Sequence, residues 1–150
     1  MVGHYFKITS LVSLDYSFLA SSSSDNTVRI WNISDGTLKY NLTDHRMQVN
    51  VLAKLDNNLL ASASNDKLVL VWDVITGTLK FNLSGHSGFV ESLLSLSPIL
   101  LASGSADRSI KIWDIGQIGQ IKFDLTGHSL AVSQLVKLDE SRFVSGSLDR

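Results

Sequence analysis

Four histidines and three tryptophans divide this chain into near-equal units. His4, His45, His86 and His128 lie 41, 41 and 42 residues apart, and Trp31, Trp72 and Trp113 are each 41 apart. A fixed period of this length means that one supersecondary unit is repeated, and it constrains the architecture before any local reading begins. The unit is clearest over residues 85–114, GHSGFVESLLSLSPILLASGSADRSIKIWD.

Inside each unit, short runs rich in Val, Ile, Leu and aromatic residues alternate with polar turn residues. In the first unit the runs cover 8–14, 18–24, 28–33 and 37–42, separated by Asp15-Tyr16, Asp25-Asn26 and Asp35-Gly36. In the second they cover 49–55, 59–64, 68–74 and 78–83, with turns at Asn57-Asn58, Asp66-Lys67 and Thr76-Gly77. In the third they cover 90–96, 100–105, 109–115 and 120–125, with Ser97-Pro98 as the first turn. Its last turn, Gly116-Gln117-Ile118-Gly119, carries the residue that lengthens the period, and such an insertion belongs in a surface loop. A fourth unit has runs at 132–138 and 142–147, followed by Asp149-Arg150. Turn signals at this spacing, with β-branched runs between them, predict an all-β array of four-stranded units. Asp-Gly at 35–36 is a strong hairpin signal.

The pattern resembles the WD-repeat family of β-propellers. The likeness rests on Gly3-His4, Asp44-His45, Gly85-His86 and Gly127-His128, and on Trp31-Asn32, Trp72-Asp73 and Trp113-Asp114. Leu-Ala-Ser recurs at 19–21 and 60–62, and with a doubled Leu at 100–103. Asp44 replaces the Gly before His, and Asn32 replaces the Asp after Trp. The resemblance implies about three and a half blades, over 4–43, 45–84, 86–126 and 128–150. Propeller rings of this kind carry 4–8 blades. Such a segment is therefore expected to be an open arc or part of a larger ring, with the missing blades supplied by a longer chain. Two copies offer twenty-eight strands, but neither supplies the third and fourth strands of the broken blade, so simple dimer closure is not expected.

Thirteen basic and fourteen acidic residues leave a formal charge of -1, and the basic residues form no run. That argues against a nucleic-acid surface or an anionic-membrane anchor. The absence of cysteine excludes disulfides, thiolate metal sites and cysteine nucleophiles. The opening MVGHYFKITSLVSL lacks the pattern of a signal peptide, so a cytoplasmic or nuclear protein is expected. Asn32, Asn41 and Asn82 each begin a glycosylation acceptor triplet, which we read as a by-product of the repeat.

Ser, His and Asp recur at fixed offsets. The sets are His4, Ser21, Asp25 and Trp31; His45, Ser62, Asp66 and Trp72; His86, Ser103, Asp107 and Trp113; and His128, Ser145 and Asp149. One set of this kind invites a Ser-His hydrolase reading, but a triad also needs an oxyanion hole and a cleft. Four copies on one small chain fit a structural hydrogen-bond network better, because a satisfied polar chain fixes blade geometry. The resemblance implies the order Trp to Ser to His to Asp. Four His in four separate units, without cysteine or a second His nearby, do not form a metal site. No cofactor is implied.

With catalysis set aside, function is expected on the surface, as a protein–protein interaction scaffold. The resemblance implies that blade-opening loops and second-to-third-strand turns share one face. The opening positions are Lys7, Gln48, Phe89 and Ala131, and the turn positions are Asn26, Lys67, Arg108 and Arg150. These vary between units while the network residues do not. Phe89, with Arg46 and Arg108 near it, is the leading contact candidate, and Tyr5, Phe6 and Met47 are further apolar candidates. A self-assembling element that pairs through open strand edges is the other non-catalytic alternative.

Overall fold

The structure is a computed structural model that describes residues 3–14, 17–55 and 58–149. The turn residues Asp15, Tyr16 and Asn57 and the rim position Arg150 lie outside the described residues. Every regular element among the described residues is a β-strand. Blade one holds β1 (Ile8–Ser13), β2 (Phe18–Ser23), β3 (Val28–Asn32) and β4 (Leu38–Leu42). Blade two holds β5 (Val49–Lys54), β6 (Leu59–Ser64), β7 (Val69–Asp73) and β8 (Thr78–Leu83). Blade three holds β9 (Val90–Ser97), β10 (Leu100–Ser105), β11 (Ile110–Asp114) and β12 (Gln120–Leu125). The hairpin β13 (Val132–Lys137) and β14 (Phe143–Ser147) follows.

Each blade is an antiparallel meander in sequence order, and β13 pairs with β14 in the same sense. The first strands β1, β5, β9 and β13 lie side by side along the series of blades. The chain is thus an all-β series of open propeller blades. The strands end within one or two residues of the turn signals. Pro98-Ile99, rather than Ser97-Pro98, makes the β9–β10 turn, because Ser97 still pairs with Leu100.

Period-two alternation decides what each sheet face meets. Val28 and Ile30 of β3 project toward blade two, and Arg29 and Trp31 project the other way. In blade two, Leu60, Leu70 and Trp72 pack against Ala20, Val28, Ile30 and Leu42 of blade one. The same joint recurs one period later. Leu101, Trp113 and Ile115 pack against Ala61, Val69, Val71 and Leu83. At the third joint, Val132 and Leu135 of the hairpin pack against Ala102, Ile110 and Ile112. Ala20, Ala61 and Ala102 in the second strands of the three full blades let the next sheet approach closely. Central strand β6 is buried along its whole length, while outer strand β12 is exposed along its whole length.

The third-to-fourth-strand turns need glycine. Gly77 has φ +70°, and a Cβ there would lie 2.5 Å from the Tyr40 ring. The longer turn of blade three leaves Gln117 and Ile118 exposed, as expected for an insertion.

Candidate functional site

The residues at fixed offsets meet in space. In blade two the Trp72 Nε1–H donates to Ser62 Oγ at 2.8 Å. Ser62 Oγ lies 2.8 Å from His45 Nε2, and His45 Nδ1 lies 2.8 Å from Asp66 Oδ2. Blade three repeats each distance at 2.8 Å through Trp113, Ser103, His86 and Asp107. Blade one matches it with 2.8, 2.7 and 2.9 Å through Trp31, Ser21, His4 and Asp25. In the hairpin unit, His128 Nε2 meets Ser145 Oγ at 2.8 Å, and Nδ1 meets Asp149 Oδ2 at 3.1 Å.

Chemistry assigns the protons. An indole N–H can only donate, so Ser Oγ accepts it and its own hydrogen turns to His Nε2. The imidazole then carries its hydrogen on Nδ1 and donates to the carboxylate. Burial alone would raise the Asp107 carboxyl. The hydroxyl and backbone N–H of Ser109, the His86 ring and the Ser87 N–H outweigh burial and hold it well below the usual range. Asp25 is held low against burial in the same way by Thr27, His4 and the Tyr5 N–H. Asp66 is lowered too, against burial, by His45 and the Arg46 N–H. The Ser129 N–H is the main force lowering Asp149. Burial pushes His86 below its ordinary value, although Asp107 pulls the other way.

Ser, His and Asp are therefore ordered as in a hydrolytic triad, but three of the four hydroxyls are closed off. Ser21, Ser62 and Ser103 are at most 2% exposed, and each receives an indole N–H on its oxygen. His45 and His86 are buried, whereas the side chain of His128 is 27% exposed. Among the described residues, no third strand covers the hairpin. No group of three or more metal-ligating side chains occurs among the described residues.

The network also shapes the rim. Each Asp binds the backbone N–H that follows its histidine, at Tyr5, Arg46, Ser87 and Ser129. It thereby ties the opening loop to the second-to-third-strand turn. A second recurring serine, at Ser23, Ser64, Ser105 and Ser147, accepts the Asp N–H through its Oγ. In three units that Oγ also donates to a carbonyl of the opening loop, at Phe6, Met47 and Leu130. These serines were visible as a recurrence two residues after the network serine, but the sequence reading gave them no role.

The opening positions are structurally equivalent. The carbonyls of Lys7, Gln48, Phe89 and Ala131 accept from the N–H groups of Ser24, Asn65, Ala106 and Leu148. The turn residues Asn26, Lys67 and Arg108 have φ of 70°, 73° and 73°, a left-handed conformation that is uncommon outside glycine. Lys7, Arg46, Lys67 and Arg108 are exposed, and none forms an ion pair among the described residues. Phe89 is 44% exposed, and its carbonyl bond to Ala106 sets it beside the turn that carries Arg108. Tyr5, Phe6 and Met47 are exposed on neighbouring loops. Gln48 is less free, since its side chain accepts from Ser24 Oγ and donates to Asn50. The Asn26 amide donates to the Arg46 carbonyl, joining the first turn to the next opening loop.

Comparison with known proteins agrees with this geometry. The WD domain, G-beta repeat family matches residues 1–32, 36–73 and 77–114. The computationally designed Ika4 protein superposes with a TM-score of 0.90 and 32% identity, over 99% of this chain and 90% of that one. The structure of U3-55K gives 0.83 and 29%, over 89% of this chain and 43% of that one. The crystal structure of the RRP9 WD40 repeats gives 0.83 and 29%, over 89% and 42%. The chain thus spans nearly all of the designed protein but less than half of the other two. No curated protein sequence matches it.

Proposed function

The chain belongs to the WD domain, G-beta repeat family, and on that premise we propose that it is a non-catalytic protein-interaction platform whose contact surface is the rim of opening loops and second-to-third-strand turns. One observation carries the proposal. Equivalent rim positions share a backbone hydrogen bond but differ in side chain, as Lys7, Gln48, Phe89 and Ala131 do. In the three full blades the network beneath them repeats in both identity and distance. A constant frame with a variable surface is the design of a recognition scaffold.

Physical chemistry picks out the contacts within that rim. Phe89 supplies an exposed aromatic anchor, and Arg46, Lys67 and Arg108 supply cations that form no ion pair among the described residues. Aromatic and arginine side chains dominate the energetics of protein interfaces. Holding Lys67 and Arg108 in a left-handed turn costs backbone energy, and such outliers concentrate where function fixes the conformation.

The test compares the parent protein with a Phe89→Ala, Lys67→Glu, Arg108→Glu variant in quantitative affinity capture. All three side chains point away from the core, so the variant should melt with the parent. It should lose the proteins that the parent retains. A variant that melts normally and captures the same proteins in the same amounts would contradict the rim assignment.

A further inference from the structure

Two blade faces of the described chain have no sheet against them, and they are the two halves of one repeated joint. At the joint between blades one and two, Val12 and Ala20 meet the face that carries Leu52, Leu60, Trp72 and Val74. Shifted by whole periods, Val12 and Ala20 become Val136 and Val144, on the outward face of the β13–β14 hairpin. Shifted back by one period, the receiving residues become Leu11, Leu19, Trp31 and Ile33 of blade one.

The exposures record the missing contacts. Trp72 and Trp113 are 1% exposed, whereas Trp31 is only half-buried. Leu11 is 58% exposed, and Ile33 and Ile8 are exposed beside it. Val136 and Val144 are also exposed, Val144 at 46%. A hollow of about 350 Å³ opens on the Trp31 face, lined by His4, Ile8, Leu11, Leu19, Trp31 and Ile33. It lies where blade one seats itself on the equivalent face of blade two.

We propose that these two faces bind each other in trans, so that the hairpin of one copy docks on the Trp31 face of a second copy. The occupant is a second copy because the chain itself carries the matching half of the joint. The described residues form only two strands there, and two suffice for such a joint. On its other face, β13–β14 already sustains a joint with blade three through Val132 and Leu135, with Phe143 packed beside them. The contact is face on face, so it does not use open strand edges. It is also head-to-tail, since the two surfaces differ, and such contacts form rings when the rotation closes and chains when it does not.

The experiment is light scattering coupled to size exclusion over a dilution series of the 150-residue chain. The parent should rise above monomer mass with concentration. Leu11→Glu removes one face and Val144→Glu removes the other, and each variant alone should stay monomeric at every concentration. An equimolar mixture should double the mass to a one-to-one complex, because each variant retains the face that the other lacks. Ile33→Glu and Val136→Glu serve as a second pair should either of the first variants melt early. A parent that stays monomeric throughout, single variants that associate as the parent does, or a mixture that stays monomeric would each overturn the proposal.

Discussion

Ser62→Ala tests the polar chain at its most buried link. Ser62 is fully buried, and its oxygen serves both Trp72 Nε1 and His45 Nε2 at 2.8 Å. The substitution removes only one oxygen atom, so cavity formation contributes little. What remains is one indole donor and one imidazole acceptor, both buried and unpartnered. Each orphaned group costs about 1–3 kcal/mol, so the substitution should cost roughly 2–6 kcal/mol. For a chain of this size that is a fall of roughly 4–24 °C in melting temperature. Ser145→Ala is the internal control. Among the described residues its only network partner is His128, which is partly open to water, and no indole donates to it. Water replaces the lost bond there, and the cost should stay below about 1 kcal/mol. Urea unfolding followed by circular dichroism measures both. If Ser62→Ala loses no more stability than Ser145→Ala at equal slope, the reasoning fails.

The remaining predictions concern acid. His86 is held below its ordinary value, so the unfolded chain binds protons first and stability should begin to fall as pH drops below about 6.5. His86→Gln should flatten that part of the curve. The carboxyls of Asp25, Asp66, Asp107 and Asp149 are lowered in the fold, so their contribution is complete above about pH 4 and is lost as pH falls further. A second, steeper decline in the urea midpoint below pH 4 should therefore appear. A midpoint that rises on acidification in either range would contradict the assigned directions.

Much of this structure can be read from residue order, and the reasons are local. Polar turn signals such as Asp35-Gly36, Asp66-Lys67 and Asp107-Arg108 separate the β-branched runs, so the strand limits fall within a residue or two of the expected ones. Constant offsets from His to Ser to Asp to Trp bring those residues together, because an antiparallel meander converts equal spacing into equal register. Offsets could not separate the two recurring serines of each second strand. Ser21 and Ser23 recur with the same period and share a face, yet only the first meets the indole. Exposure of Trp31 is not legible in the offsets either: its place in the repeat matches that of Trp72, and the difference is that no sheet among the described residues packs on its face. Gln48 shows the converse. Its position marks it as free rim surface, but two side-chain bonds hold it in the seam between blades one and two.

Hydrogen exchange of the three indole N–H groups, followed by NMR, probes the chain of bonds most directly. Trp72 and Trp113 should exchange only with global unfolding, because each N–H is buried and bound to a serine that is itself bound to histidine. Trp31 should exchange faster, since its bond is equally short but its face is open. Exchange of Trp72 and Trp113 at the rate of a free indole, while the backbone of β6 and β10 remains protected, would show that the network does not hold the blades as described.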